Sequence, residues 1–179
     1  VICCSEFIDD YLVLPRGCLD ELSSLCSQYG IKINIKDARI TGNRADFKFN
    51  GTLEKEQEDA AKIILKHDIG ILVAPPGSGK TVLAIYLMAE RKTNTLVLVH
   101  RKPLQEQWQM QLSSFLDIDK RHIGQIGGGK EQNTGIIDVA MLQSLQRKGT
   151  VNDTIEKYGF VITDECHRIP AISFERVLS

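Results

Sequence analysis

Apolar residues along this chain follow two rhythms, and the change falls near Gly51. Upstream, Ile31, Ile33 and Ile35 interleave with Lys32, Asn34 and Lys36, the period of a strand with one face in water. Residues 11–14 form an earlier apolar stretch, closed by Pro15-Arg16-Gly17. Between them Leu19, Leu22, Leu25 and Cys26 recur at helical spacing, which predicts a helix over 18–28 that Gly30 ends. Residues 46–50 alternate again after the Thr41-Gly42-Asn43 turn. The pattern predicts a small β-α-β-β accessory domain over 1–51, too short for a strong core of its own and expected to lean on the larger domain after it.

From Leu53 the alternation disappears. A helix over 54–66 carries Leu53, Gln57, Ala60, Ala61, Ile64 and Leu65 on one stripe. Unbroken apolar runs at 69–74, 95–100, 136–141 and 160–163 predict strands buried on both faces. Helices are expected over 81–91, 103–115 and 152–157, and Gly127-Gly128-Gly129 reads as the turn after a strand at 123–126. The expectation for 52–179 is an α/β domain: a parallel sheet flanked by helices.

Composition narrows the picture. The 179 residues are 42% apolar and 25% charged, a globular rather than a disordered profile. A net charge of −1 excludes a binder held to polyanions by a global basic field, though not local contacts to a few phosphates. The cysteines (Cys3, Cys4, Cys18, Cys26 and Cys166) are odd in number and lack CxxC spacing, so free thiols in a reducing compartment are expected. No signal peptide or membrane-length apolar run is visible. The expected location is cytoplasmic, or nuclear in a compartmented cell.

Ala74-Pro75-Pro76-Gly77-Ser78-Gly79-Lys80-Thr81 follows a predicted strand and opens a predicted helix, the context a phosphate-binding loop requires. Pro75 and Pro76 stiffen the approach. Pro76, Gly77, Ser78 and Gly79 form the loop, whose backbone N–H groups point at a β-phosphate at the positive end of the helix. Lys80 supplies charge to the β- and γ-phosphates, and Thr81 a hydroxyl to Mg²⁺. Downstream, Asp164 and Glu165 end the apolar strand at 160–163, at the sheet edge where α/β ligands bind. Asp164 suits the Mg²⁺ shell, and Glu165 suits the orientation and deprotonation of an attacking water. The catalytic set is therefore Lys80, Asp164 and Glu165, with Thr81 and Asp164 at the metal.

Together, AxxGxGKT and Asp164-Glu165-Cys166-His167 resemble the first, RecA-like motor domain of superfamily 2 DExH helicases. Further stretches match in order. Gln57 stands where the family reads adenine. Leu98-Val99-His100-Arg101-Lys102-Pro103-Leu104 with Gln107-Trp108 is similar to motif Ia. Gly127-Gly128-Gly129-Lys130 and residues 138–145 are similar to the region of motif Ib. The wording is nearest to the XPB-like and restriction-translocase branch. The resemblance implies ATP and Mg²⁺ as cofactors and nucleic acid, leaning to DNA, as partner. Arg101, Lys102, Gln143 and Ser144 would lie along the tracked strand, and His167 would couple the site to a second motor domain. Trp108, at helical spacing with Leu104 and Leu112, reads as core rather than as a stacking platform.

Three departures qualify the resemblance. Glu54 and Lys55 replace the family's Arg and small or Pro residue, and Met141 replaces a phosphate-touching threonine. The family's Ser-Ala-Thr motif and second motor domain are absent from these residues. An arginine finger from that domain is worth ~10³–10⁵ in rate in related NTPases. The expectation is a fragment that hydrolyses ATP barely above background alone. The alternative is a nucleotide-gated nucleic-acid-binding module without directional unwinding. Asp164-Glu165 argues against a kinase, and the lack of Asn-Lys-x-Asp argues against a GTPase. In residues 1–51, Arg16, Lys32, Lys36, Arg39, Arg44 and Lys48 are nearly balanced by Asp20, Glu21, Asp37 and Asp46. That leaves duplex contact and a packing accessory both open.

Overall fold

The computed structural model describes residues 6–14, 18–36, 41–147 and 156–166, in two compact units, Val1–Arg39 and Ile40–Ser179. In the first unit β1 (Glu6–Ile8) pairs antiparallel with β2 (Tyr11–Val13), the chain reversing through Asp9 at φ 50°. Helix α1 (Leu19–Gln28) comes next and ends as expected, with the Ile31 N–H donating to the Cys26 carbonyl. None of the residues of α1 is buried. The alternating residues 31–36 form no strand: alternation nominates one, but only a partner's hydrogen bonds make it, and no described residue supplies them.

The second unit begins upstream of Gly51. Ala45 N–H donates to Lys92 O, Asn50 N–H to Phe115 O, and Asp117 N–H to Lys48 O, while Phe47 is buried in the main core. Residues 41–50 thus pack with the larger unit. Period-two alternation showed that they have a buried face, not which unit buries it.

Helix α2 (Lys55–Ile64) packs on α3 (Lys80–Arg91) through Ala61, Leu83 and Leu87. The sheet of this unit comprises β3 (Thr95–Val99), β4 (Ile123–Gly127), β5 (Lys130–Gln132), β6 (Ile137–Met141) and β7 (Phe160–Thr163), in the order β5-β4-β6-β3-β7. All neighbours are parallel except the β4–β5 hairpin at one edge. Val97 and Val99 join one cluster with Ile85, Met88, Trp108 and Leu112 of α3 and α4 (Lys102–Phe115). Leu96 and Leu98 belong to the other cluster, with Leu142 and Leu145 of a short helix, α5 (Leu142–Arg147). Burial on both faces is why β3 carries no alternation. Helix α5 was not visible as a separate element in the pattern, and the expected helix at 152–157 lies mostly outside the described residues.

One expected strand is missing. Residues 67–75 join no strand of the described sheet and take no regular structure, and Ile69, Ile71, Leu72 and Val73 are exposed. The sheet is otherwise tied together at the start of its strands by buried polar hubs. The Asn94 side chain accepts from the N–H groups of Asn43 and Gly159 and donates to the carbonyls of Gly135 and Lys157. Asp138, fully buried, accepts from Thr134 N–H, Gly135 N–H and the hydroxyls of Thr134 and Tyr158. Burial and that bond push the Tyr158 phenol well above its ordinary range.

Candidate functional site

Because β3, β4, β6 and β7 are parallel, their C-terminal ends share one edge of the sheet. Val99 leads there to His100-Arg101-Lys102, Gly127 to Gly128-Gly129, Met141 to Gln143-Ser144, and Thr163 to Asp164-Glu165. Helix α3 ends beside the opposite edge, since Thr93-Asn94 joins it directly to the start of β3 and Arg91 lies over the Phe160 ring at the start of β7. It therefore crosses the sheet against the strands, which brings Lys80 to the edge that holds Asp164. Two motifs far apart in sequence are thereby directed to the same end of the sheet.

The loop before α3 is shaped for an anion. Gly79 is the helix N-cap at φ 73°, left-handed, and a Cβ there would lie 2.3 Å from the Gln57 Nε2. The left-handed φ is what favours glycine, and a side chain there would also have to displace the Gln57 amide. No side chain caps α3 and no acid stands in its first turn, so the positive end of the helix is neither capped nor neutralised. Lys80 bends across the loop, its Nζ donating to Ala74 O at 2.8 Å and Pro75 O at 2.9 Å. The Ser78 hydroxyl is buried without a hydrogen-bond partner. An orphan hydroxyl, a bare helix end and an ammonium held over one loop fit a nucleotide's phosphates.

Gln57 sits under that loop. Its Oε1 accepts from Glu54 N–H at 2.9 Å, which caps α2, and its Nε2 donates to Ser78 O at 2.9 Å. The residue expected to read adenine thus also fastens the glycine-rich loop, with one N–H and one lone pair left over.

At the end of β7 the Asp164 N–H donates to Leu98 O at 3.0 Å, and the next residue, Glu165, turns through φ 49°. A non-glycine residue in this left-handed region is uncommon. The Asp164 Oδ2 accepts from the Trp108 indole N–H at 2.8 Å. Sequence reasoning placed Trp108 in the core, where it is, but missed this bond. A buried indole needs an acceptor, yet only the fold names it.

The expected strand-contacting residues also converge. Arg101 and Lys102 are exposed at the start of α4, with Lys102 in a loose 3.8 Å pair with Glu106. Gln143 donates to the His100 carbonyl at 3.2 Å, joining the loops after β3 and β6. Ser144 packs against Gly127, where φ is 88° and a Cβ would lie 2.1 Å from the serine hydroxyl. Beneath them Gln105, buried, donates to Ile126 O and Val139 O and accepts from Gln125. His167 lies outside the described residues.

The family model described as Type III restriction enzyme, res subunit, matches residues 50–179. The chain belongs to this helicase family. It carries the first RecA-like motor domain of the superfamily 2 type, on the XPB-like side. This motor domain is 33% identical over 119 residues to the DNA 3'-5' translocase XPB2 of Sulfurisphaera tokodaii, covering 66% of this chain and 26% of that protein. It is 30% identical over 132 residues to the putative DNA 3'-5' helicase Rad25 of Haloarcula marismortui, covering 73% of this chain and 21% of that one. The chain thus spans about a quarter of the length of these curated relatives. In fold the motor domain is similar to the crystal structure of UvsW from bacteriophage T4, at a TM-score of 0.65, 19% identity, and coverage of 93% of this chain and 38% of the other. Among the described residues no helix is long and apolar enough to cross a membrane.

Proposed function

We propose that this chain is the ATP-binding wall of a DNA translocase or helicase, which binds MgATP and hydrolyses it when a second motor domain closes the site. What supports this reading is the topology, which directs the uncapped α3 end at Gly79-Lys80 and the Asp164-Glu165 turn toward the same end of the sheet. The N–H groups of residues 77–79 and the Lys80 ammonium would hold the phosphates; engaging a γ-phosphate would draw Lys80 from the carbonyls of Ala74 and Pro75. Thr81 and Asp164 would hold Mg²⁺, which when bound neutralises charge on the β- and γ-phosphates. Glu165 would orient the attacking water and take its proton. Arg101, Lys102, Gln143 and Ser144 would touch a nucleic-acid backbone on the same edge, so nucleotide and strand would act on neighbouring loops of one sheet. The printed names of XPB2 and Rad25 support DNA as that strand. Alone, with one wall of the site, the chain is expected to turn over ATP barely above background.

The test is made on the complete protein, with DNA-stimulated ATP turnover, calorimetric ATP binding and displacement of a third strand from a DNA triplex. Lys80→Ala should lower ATP affinity by about tenfold or more, the ~1.4 kcal/mol of one charge-assisted bond. Glu165→Gln should leave affinity intact and cut turnover by about 10²–10⁴. Equal loss of affinity in both variants would overturn these roles. ATP-dependent changes in DNA affinity without displacement would instead favour a nucleotide-gated binding module.

A further inference from the structure

The bond between Trp108 and Asp164 joins a core side chain to the proposed metal carboxylate. Trp108 is the only tryptophan of the chain and is 2% exposed, in one cluster with Leu104, Leu112 and Val99 of α4 and β3. Packing alone would be served by any aromatic ring of that size. What the indole adds is a directed N–H, and it goes to the Asp164 Oδ2 at 2.8 Å, 56 residues away. The aspartate is held twice, since its own N–H is bonded to Leu98 O at 3.0 Å. With the main chain anchored and one carboxylate oxygen taken, both side-chain torsions of Asp164 are set, and Oδ1 is the oxygen left to face a cation.

The donor is itself fixed. One turn before Trp108 on α4, Gln105 is fully buried and donates to Ile126 O at 3.1 Å and Val139 O at 2.8 Å. Those bonds lock the helix to β4 and β6, so the indole does not follow the aspartate but holds it. Outer partners of metal-binding carboxylates act in this way on ligand orientation and affinity.

We propose that Trp108 is a positioning residue for the metal site: its indole N–H fixes the Asp164 carboxylate in the orientation that receives Mg²⁺ with ATP. The inference rests on the nucleotide-site reading above. It also makes Trp108 a built-in reporter, because an indole bonded to a carboxylate senses a cation arriving on the other oxygen.

The first measurement is the emission of the sole tryptophan in the unmodified chain, during titration with ATP in EDTA and then with Mg²⁺ at saturating ATP. Emission should shift on Mg²⁺ addition and stay flat with ATP alone; a flat response to Mg²⁺ at saturating ATP overturns the proposal. The second is calorimetric ATP binding, with and without Mg²⁺, to the chain and its Trp108→Phe variant. The affinity gained from Mg²⁺ should fall by about tenfold, the lower end for outer-shell partners, while affinity in EDTA stays unchanged. A parallel loss in both conditions would mean that Trp108 only packs, and an unchanged Mg²⁺ gain would mean that the bond orients nothing. Either result refutes the proposal, and if the variant fails to fold, the emission of the unmodified chain decides. Absent or Lys80-independent ATP binding would instead remove the nucleotide site itself, and the inference with it, which separates the two failures.

Discussion

Two apolar runs of similar length read alike in this sequence and end in opposite places. Thr95–Val99 is β3, the strand between β6 and β7, with every residue at 1% exposure or less. Residues 69–73 form no strand, and Ile69, Ile71 and Val73 are 61%, 81% and 88% exposed. Composition does not separate them. β3 has neighbours on both sides to satisfy its backbone and helices on both faces to cover it, and the run before the glycine-rich loop has neither among the described residues. Apolar side chains make a strand worth burying, and only pairing makes it a strand.

Paired substitutions break or sharpen that contrast. Val97→Asp would bury an unpaired carboxylate between α3, α4 and the sheet, and should cost ~4 kcal/mol or more, enough to unfold most of the domain. Val73→Asp, on the exposed run, should stay within about 0.5 kcal/mol. Urea denaturation of both variants measures the difference. A comparable loss for Val73→Asp would show that the run is buried after all.

A smaller effect tests what keeps β3 in register. Asn94, just before the strand, bonds Asn43, Gly135, Lys157 and Gly159, and so ties residues 41–43 to the starts of β3, β6 and β7. Asn94→Ala leaves these buried groups unsatisfied and should cost about 2–3 kcal/mol. Amide exchange should then rise first around Asn43 and Gly159, and uniform exchange across the sheet would argue against a local pin.

The smallest effect belongs to ordered but exposed structure. Asp119 caps the 3-10 turn Lys120–His122, and its bonds from the Arg121 side chain and backbone lower its carboxyl to about 2. A depressed carboxylate contributes stability above its ordinary value, here 3.8, and loses it as pH falls toward 2. Asp119→Asn should flatten the acid dependence of stability over that interval and change melting at neutral pH only slightly, because the pair is solvated. A large neutral-pH loss would place Asp119 in a role beyond this turn.

Much of the candidate site was legible because its parts are local. A glycine-rich turn between an apolar run and an amphipathic stretch needs Gly79 and Lys80 wherever it occurs, and two acids closing an apolar strand mark a ligand edge. Those features come from backbone conformation and charge within a few residues. Helices α2, α3 and α4 were likewise readable from stripes and stop signals, to within two residues at each end.

What the residues could not say is who meets whom. The β5-β4-β6-β3-β7 order, the docking of 41–50 onto the larger unit and the exposure of 69–73 all depend on partners distant in the chain. So do the clasp of Gln57 on Ser78 and the bond from Trp108 to Asp164, across 21 and 56 residues. Local pattern states which surfaces must be covered and which polar atoms must be satisfied. The tertiary structure decides by what, because burial and hydrogen bonding are contributed by whichever neighbour the topology brings within reach.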